Sequence, residues 1–260
     1  AMRETWTWAQ YTQRPMHLFT PFIEFLLPTL CMACEQVQTK LLCANYLAKI
    51  TLNMLSRPPC CPTCGIPIAT PESPCFSCVE HRPAYDETFY IDSYAGVLQT
   101  ALHAYKYQRR LACAAGFSYL WNHCAAKVTL QSSADYLLPV PLGVRKLTKR
   151  GFNQSWEIAK RIQLPKTVRK IPNALGRIDD ETSQAQRNRE MRKEMAQDLF
   201  YLNTDWSERF KNQRIIVFDD VMTTGATMNA IASLLKNHGA KHVSAWVVLR
   251  TLPKSDSFAI

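Results

Sequence analysis

The chain has 260 residues, of which 47% are hydrophobic, and its net charge at pH 7 is +10. That length accommodates one hydrophobic core plus a smaller module. Residues 145–193 carry 14 Lys/Arg against 5 Asp/Glu, whereas residues 1–92 carry 6 against 8. Because the excess charge is concentrated rather than scattered over a solvated surface, it favours a polyanionic partner, either a pyrophosphate group or a nucleic-acid backbone.

The composition also argues against a membrane span. An apolar stretch over residues 16–30 is shorter than the ~20 residues that a bilayer crossing requires, and Pro21, Glu24 and Pro28 interrupt it. We expect a docking helix there, because its large apolar residues recur at helical spacing. No small-residue cleavage site follows it, so the sequence predicts a cytoplasmic protein without membrane insertion.

Eight of the ten cysteines lie between residues 31 and 78, mostly in C-x-x-C pairs. Two residues between cysteines let both thiolates reach one metal ion, and two such pairs complete a tetrahedral zinc site. A disulfide framework is the alternative, which a reducing cytosol disfavours. The predicted zinc ligands are Cys61, Cys64, Cys75 and Cys78.

A second cysteine set is incomplete. Cys31, Cys34 and Cys43 lack a fourth ligand, because Tyr46 stands where the pattern would place a thiolate. Cys60 is a candidate for the missing ligand, and an empty site is the alternative. A cross-braced pairing, in which positions 31 and 34 share a metal with 61 and 64, also stays open. In each case we expect structural metal rather than catalytic thiols.

Two basic segments follow in the middle of the chain. The helix predicted over residues 101–107 ends in a cationic cluster, for which simple exposure to solvent is the alternative. A short buried strand from residue 135 then runs into a loop with two prolines and a basic stretch. A strand end, a rigid turn and guanidinium groups suit a pyrophosphate. The residues predicted for this role are Val140, Pro141, Leu142, Arg145 and Lys146.

The segment over residues 215–227 is the most informative in the chain. Four apolar residues run into Asp219 and Asp220, and a loop of hydroxyl groups around one glycine then opens a helix. Hydroxyls and free N–H groups at a helix N-terminus suit a phosphate, and paired carboxylates suit the vicinal hydroxyls of a sugar. The pattern therefore predicts a ribose 5-phosphate site, with an ordinary buried strand and capped helix as the alternative.

These thirteen residues resemble the motif that binds 5-phosphoribosyl 1-pyrophosphate (PRPP) in type I phosphoribosyltransferases. The resemblance implies that Asp219 and Asp220 bind the ribose hydroxyls. It places the 5-phosphate on Thr223, Thr224, Gly225, Ala226 and Thr227. Strands and helices that alternate around residues 136–140, 215–218 and 242–249 predict the matching α/β fold, a parallel sheet flanked by helices whose strand ends face one cleft.

Several motifs together resemble the ComF/GntX-like family. The paired cysteines, the segment from Tyr94 to Tyr107, the string Arg-Gly-Phe-Asn-Gln at 150–154 and the PRPP motif occur in that family's order. The resemblance implies a type I phosphoribosyltransferase domain at residues 89–260, preceded at residues 1–88 by an N-terminal helix and a zinc-ribbon module. A further family segment is only partly kept, since Glu181 and Met195 replace the expected Thr and Asn.

The same resemblance implies a competence protein that binds PRPP with Mg²⁺ and handles imported single-stranded DNA during natural transformation, with other DNA-uptake proteins as candidate partners. DNA would follow the basic residues, with Tyr105, Tyr107 or Phe152 available for stacking on bases. The predicted nucleic-acid residues are Lys106, Arg109, Arg110, Lys149, Arg150, Phe152, Arg187 and Arg192. Two alternatives stand beside this hypothesis. One is an active phosphoribosyltransferase that displaces pyrophosphate from PRPP onto an unknown acceptor, and the other is a PRPP-sensing regulator.

Overall fold

The computed structural model describes residues 29–69, 74–178 and 199–253. The elements of this part of the chain are, in order, β1 (Thr29–Leu30), β2 (Val37–Gln38), α1 (Ala44–Leu55), α2 (Phe76–Glu80), β3 (Glu87–Ser93), α3 (Gly96–Tyr107), α4 (Ala112–Cys124), α5 (Ala126–Leu130), β4 (Tyr136–Pro139), α6 (Val144–Arg150), α7 (Gln154–Ala159), β5 (Arg169–Lys170), β6 (Leu175–Arg177), β7 (Phe200–Leu202), two 3-10 turns (Thr204–Trp206 and Glu208–Phe210), β8 (Arg214–Met222), α8 (Ala226–Asn237) and β9 (His242–Arg250).

Some of the predicted features fall outside the described residues. The docking helix predicted for residues 16–30 is one of them, apart from Thr29 and Leu30, which form β1. Arg187 and Arg192, from the predicted nucleic-acid set, also lie outside. Over the three described ranges, none of the helices combines the length and the hydropathy that crossing a membrane demands.

Five parallel strands form the central sheet in the order β3-β9-β8-β4-β5. The two middle strands, β8 and β9, are buried along most of their length. A parallel strand covered on both faces needs apolar side chains on both, which explains the unbroken apolar run from Ile215 to Phe218. The parallel α/β fold that the sequence predicted is confirmed.

The sheet is covered by a separate core on each face. On one face α3, α4 and α7 surround the fully buried Trp121, whose ring meets those of Phe218 and Trp246 at centroid distances of 5.2 and 5.5 Å. Aromatic pairs at this spacing add to the stability that burial provides. On the other face α8 and the β6–β7 hairpin bury Phe210 and Ile231. Because β8 is packed from both sides, its carboxyl end is a rigid platform.

The cysteine-rich segment is anchored to the first strand of this sheet. The Arg57 guanidinium lies 3.8 Å from the centroid of the Tyr90 ring and donates to backbone carbonyls of β3. The Thr88 N–H donates to the Pro62 carbonyl at 3.1 Å. Since β3 begins at residue 87, it spans the proposed boundary between residues 88 and 89, and the two-domain division stays a prediction.

The start of α8 depends on Gly225. Its φ of +84° is in the left-handed region, and a Cβ there would lie 2.7 Å from Met222 Cε and 2.8 Å from the Tyr85 hydroxyl oxygen. The position therefore needs glycine both for its conformation and for its space. Gly151, which follows α6, has a similar φ of +81° but open space where its Cβ would lie.

We predict that Gly225→Ala lowers the free energy of unfolding more than Gly151→Ala does. Both variants lose about 1–2 kcal/mol to the left-handed conformation. Gly225→Ala loses about 1–3 kcal/mol more, because the new methyl group overpacks the loop. Urea unfolding at pH 7 measures both losses. Equal losses in the two variants would contradict the close packing around Gly225.

Candidate functional site

The carboxyl end of β8 carries two adjacent acids, Asp219 and Asp220, called here the acid pair. Asp219 is half-buried, and its Oδ1 accepts hydrogen bonds from the Ser155 hydroxyl at 2.7 Å and from the Asp220 N–H at 2.9 Å. Ser155 lies in the first turn of α7, where the Asn153 side chain caps the helix. The start of α7 therefore brings a hydrogen-bond donor to the first acid and fixes its orientation.

Asp220 has a different environment, because only 2% of the residue is exposed. Its Oδ1 lies 2.9 Å from the Nζ atom of Lys106, at the end of α3. In the described part of the chain, its buried Oδ2 has no hydrogen-bond partner. The acid pair thus consists of one half-buried carboxylate and one fully buried, ion-paired carboxylate.

The surroundings shift the pKa of Asp219 and of Lys106. Burial raises the pKa of Asp219, and the negative charge of Asp220 raises it further, to about 7. Burial lowers the pKa of Lys106, but the charge of Asp220, its hydrogen bond to Lys106 and the charge of Asp219 together outweigh burial, so the net shift is upward. One ammonium group thus faces two carboxyl groups. This imbalance favours a cation or further hydrogen-bond donors opposite Asp219.

The segment over residues 223–227, called here the threonine loop, joins β8 to α8. Thr223 and Thr224 are exposed, and the Thr224 Oγ1 accepts a 3.3 Å hydrogen bond from the Ala226 N–H. The buried Arg250 side chain donates to backbone carbonyls where the loop begins. Hydroxyl groups and the N-terminus of a helix therefore lie directly beyond the acid pair.

The loop after β4, residues 140–143, lies beside the acid pair. The Val140 N–H donates to a β8 carbonyl at 2.9 Å, and the Asn153 amide donates to the Val140 carbonyl at 3.0 Å. Arg145 and Lys146 follow in the first turn of α6, and both are exposed. The acid pair, the threonine loop and this loop therefore meet at the carboxyl ends of the parallel strands.

A basic surface forms where the ends of α3 and α6 meet. We call it the cationic corner, and it consists of Tyr107, Arg109, Lys149 and Arg150. The Arg109 guanidinium donates to the Lys149 carbonyl at 3.0 Å, and the Arg150 guanidinium lies 5.4 Å from the centroid of the Tyr107 ring. Tyr107 is 63% exposed. The corner therefore combines cations with an accessible aromatic face.

The cationic corner is connected to the acid pair through the start of α7. The Arg150 Nη1 donates to the Gln154 Oε1 at 2.8 Å. The next residue in the chain is Ser155, whose hydroxyl binds Asp219. The basic surface and the acid pair are therefore held against the same helix N-terminus.

Two of the predicted nucleic-acid cations have acidic partners in the protein. Lys106 is ion-paired with Asp220, so its charge belongs to the acid pair rather than to the outer surface. Arg110 is paired with Glu35 in an exposed contact, which contributes little to stability and leaves Arg110 at the surface.

The predicted stacking residues also differ in their exposure. Tyr105 is fully buried, and its hydroxyl donates to the Gln154 carbonyl at 3.0 Å. The expectation that Tyr105 stacks on bases is therefore wrong, because α3 turns that side chain into the core. Phe152 is half-buried with its ring 5.3 Å from that of Tyr105, which leaves Tyr107 as the best exposed of the three.

The complete cysteine set assembles as the spacing predicts. Cys61, Cys64, Cys75 and Cys78 place their Sγ atoms within 4.8 Å of one another. The Sγ atoms of Cys64 and Cys75 are 3.6 Å apart, close to the ~3.8 Å expected for two thiolates on a tetrahedral zinc ion with Zn–S bonds of ~2.3 Å. Burial raises the pKa of Cys61, but backbone N–H groups of Cys64 and Cys75 outweigh it and lower that pKa to about 7. These four residues can hold a metal ion.

The incomplete set has three thiols together, since the Sγ atoms of Cys31, Cys34 and Cys43 also lie within 4.8 Å of one another. Cys60 is not the fourth member of this set in the described part of the chain, because its thiol lies 3.6 Å from the Tyr90 hydroxyl instead. The cross-braced pairing is wrong as well, since positions 61 and 64 cluster with 75 and 78.

A cavity of about 460 Å³ lies at the opposite end of the sheet, where the parallel strands begin, near Glu87, Arg214 and Ser244. Arg214 begins β8, so about five residues of strand, or roughly 16 Å, separate the cavity from the acid pair. The cavity is therefore not part of the candidate site.

A parallel sheet that carries an acid pair and a threonine loop at the carboxyl end of its central strand defines a type I phosphoribosyltransferase fold. The family described as phosphoribosyl transferase domain matches residues 162–255, which include β8, the threonine loop and α8. A hypoxanthine phosphoribosyltransferase from Staphylococcus aureus is similar over 53% of this chain and 62% of its own, with 12% identity and a TM-score of 0.32, too low to support an argument from that structure.

Curated relatives extend the similarity through most of the chain. The DNA utilization protein YhgH of Escherichia coli O6:H1 is 30% identical over 196 residues, which cover 74% of this chain and 84% of the relative. Competence protein F of Haemophilus influenzae is 25% identical over 195 residues, which cover 74% and 85%. The chain belongs to the ComF/GntX-like family, as its motifs predicted.

Two residues of the site were missed in the sequence. Ser155 binds Asp219, but the contact joins distant parts of the chain and leaves no local signal. Arg250 donates to the start of the threonine loop. Arg250 could have been identified as a charged residue at the end of an apolar strand, because a buried charge needs polar partners.

We predict that Asp219→Asn stabilises the ligand-free protein as the pH rises. The folded-state pKa of about 7 is above the unfolded value of ~3.9, so the carboxyl favours folding fully below about pH 4, and that contribution is lost as the pH rises through 7. Asparagine keeps the acceptor oxygen for Ser155 but carries no charge. The free energy of unfolding of the variant, relative to wild type, should therefore increase by about 1–3 kcal/mol between pH 4 and pH 8.

Urea unfolding across that pH range measures the difference. The exposed Asp205 is the control, and Asp205→Asn should follow the wild-type curve. A constant difference between Asp219→Asn and wild type would contradict the shifted titration.

Proposed function

We propose that the chain binds PRPP with Mg²⁺ at the acid pair and the threonine loop, and single-stranded DNA at the adjacent cationic corner, in cytoplasmic DNA handling during natural transformation. The observation that carries this proposal is the continuity of these surfaces: the threonine loop follows the acid pair on β8, and the start of α7 joins the acid pair to the cationic corner. The names of the relatives, competence protein F and DNA utilization protein, support the role in DNA handling.

The threonine loop would receive the 5-phosphate. Thr223 and Thr224 offer exposed hydroxyls, and the 12-residue helix α8 directs its positive end to the same place. Gly225 is held with a positive φ, which lets the loop turn sharply into the N-terminus of α8. These features suit a dianionic phosphate better than a neutral ligand.

Asp219 would accept hydrogen bonds from the ribose hydroxyls. It is the less buried member of the acid pair, and Ser155 already orients it through Oδ1. Asp220 and Lys106 would act behind it, since both are largely buried and bonded to each other. A charged acceptor makes a stronger hydrogen bond to a hydroxyl than a neutral one does.

The pyrophosphate and its Mg²⁺ would lie towards Val140, Pro141 and Leu142, with Arg145 and Lys146 at the edge of the site. Mg²⁺ prefers carboxylate and phosphate oxygens, and the acid pair fits it because it contains more negative charge than Lys106 neutralises. When bound, the ion would neutralise charge on the pyrophosphate. Asp219 would then lose its proton more readily than in the free protein.

Single-stranded DNA would lie along the cationic corner. Arg109, Lys149 and Arg150 would contact phosphates, while the exposed ring of Tyr107 would stack on a base. Arg110 is a further surface cation, and Phe152 is half-buried beside the corner. The four-cysteine site would hold zinc and keep the N-terminal module folded against β3.

We predict that Asp219→Asn weakens the binding of Mg²⁺·PRPP by about 10- to 100-fold, because it removes a charge-assisted hydrogen bond. Isothermal calorimetry measures the affinity, and Asp205→Asn is the control with wild-type affinity. The variant would thus gain stability relative to wild type between pH 4 and pH 8 and yet bind more weakly, which damage to the fold does not produce. Equal affinity in Asp219→Asn and wild type would contradict the proposed ribose contact.

The same samples separate binding from turnover. Pyrophosphate release, measured with a panel of nucleobases and amines as acceptors, should stay at the background rate if the site only binds PRPP. Release that depends on one acceptor, and that Asp219→Asn abolishes, would favour the transferase alternative.

We predict that Tyr107→Ala weakens single-stranded DNA binding by about 5- to 100-fold, because base stacking contributes ~1–3 kcal/mol per base. Fluorescence anisotropy with a labelled oligonucleotide measures the affinity at several salt concentrations. Lys149→Gln should instead reduce the slope of log affinity against log salt by about 0.7. Tyr201, which is 47% exposed on β7, gives the control Tyr201→Ala. A loss of affinity in that control equal to the loss in Tyr107→Ala would exclude a specific stacking site.

A further inference from the structure

Arg250 connects the four-cysteine site to the threonine loop. Only 2% of this residue is exposed, at the carboxyl end of β9. On one side its Nε donates to the Cys64 carbonyl at 3.1 Å. On the other side its Nη1 donates to the carbonyls of Met222, at 3.0 Å, and Thr223. One rigid guanidinium group therefore bonds both to a cysteine of the metal-ligand set and to the start of the loop.

These bonds determine where the N–H groups of the loop point. In a trans peptide, the C=O and the following N–H point in opposite directions. Because Arg250 holds the Met222 and Thr223 carbonyls towards the interior, the N–H groups of Thr223 and Thr224 point away from it. Within the described ranges, neither N–H group has an acceptor in the protein. Two adjacent free N–H groups on the outer side of a turn form an anion-binding concavity.

The charge of Arg250 also suits a metal in the four-cysteine site. Every hydrogen-bond partner found for its guanidinium in the described residues is a backbone carbonyl, the last being that of Thr251 at 2.9 Å. A divalent ion with four thiolates carries a net charge of −2, and a buried cation is stabilised by such a neighbour. Metal loading would therefore stabilise Arg250 in this position.

Other contacts hold each region separately. Tyr85 is buried beneath the threonine loop, since its hydroxyl oxygen lies 2.8 Å from the position that a Gly225 Cβ would occupy. The segment that carries Cys61 and Cys64 rests on β3, where the Thr88 hydroxyl donates to the Thr63 carbonyl at 2.5 Å. Arg250 bonds to both regions.

We propose that Arg250 is a positioning residue that couples metal binding at the four cysteines to the order of the threonine loop, and so to its affinity for the PRPP 5-phosphate. The ligand part of this inference rests on the proposed function, whereas the ordering of the loop does not. Coupling of this kind is reciprocal. Bound PRPP must therefore strengthen the binding of zinc, and we expect slower release of zinc as the readout.

The first test measures amide hydrogen exchange without any ligand at Ala226 and Asn229, whose N–H groups donate to the Thr224 Oγ1 and to the Gly225 carbonyl of the threonine loop. Arg250→Lys keeps the positive charge but cannot form the guanidinium bridge. Exchange at the loop should rise about ten-fold in zinc-loaded Arg250→Lys. In wild type, removal of zinc with a chelator should raise exchange to a similar level, whereas in Arg250→Lys it should add little.

Arg57→Lys is the matched control for this test. Arg57 also bonds to backbone carbonyls, those of Tyr90 and Ile91, and so joins the N-terminal module to β3. Its described contacts do not include the threonine loop. Loop exchange in Arg57→Lys should equal that in wild type. An equal rise in both variants would overturn the proposal, because general loosening of the module would then explain the effect.

The second test uses zinc release in a competing chelator, with and without saturating Mg²⁺·PRPP. PRPP should slow release about ten-fold in wild type and in Arg57→Lys, but hardly at all in Arg250→Lys. If Arg250→Lys does not fold, the wild-type comparison alone decides: unchanged release with PRPP bound overturns the coupling. If wild type does not bind PRPP, the proposed function fails, and the exchange experiment still decides whether Arg250 orders the loop.

Discussion

Two adjacent carboxylates at the end of a buried strand repel each other, and the elements around β8 are arranged to offset that repulsion. Helix α3 brings Lys106 to Asp220, and the start of α7 brings the Ser155 hydroxyl to Asp219. Burial and the remaining negative charge of Asp220 raise the pKa of Asp219 to about 7, which prepares the site for a polar ligand.

The same contacts make a continuous path across the molecule. The four-cysteine set meets Arg250, and Arg250 holds the start of the threonine loop. The acid pair precedes that loop on β8, and Ser155 links it to Gln154, which binds Arg150 of the cationic corner. Metal, phosphate and DNA sites, where we propose them, are therefore neighbours in one network.

Short sequence patterns predicted much of this fold, whereas contacts between distant parts of the chain could not be predicted from them. The apolar run before Asp219 predicted a buried parallel strand, and the spacing of the cysteine pairs predicted their clustering, because both patterns are short and repeat within a few residues. The partner of Lys106 could not be predicted, since the sequence does not say which side of α3 faces the sheet. The same ambiguity made Tyr105 look available for stacking, although it is buried. Cys60 looked like a ligand because it adjoins Cys61, yet its side chain turns towards Tyr90.

The most direct test of the proposed phosphoribosyl site is a crystal structure of the zinc-loaded protein with Mg²⁺·PRPP. We expect 5-phosphate oxygens within ~3.2 Å of the N–H groups of Thr223 and Thr224, and a ribose hydroxyl at the same distance from Asp219. Asp220 should keep its ion pair with Lys106. Ordered PRPP at any other surface, with the threonine loop unoccupied, would contradict the assignment of this site.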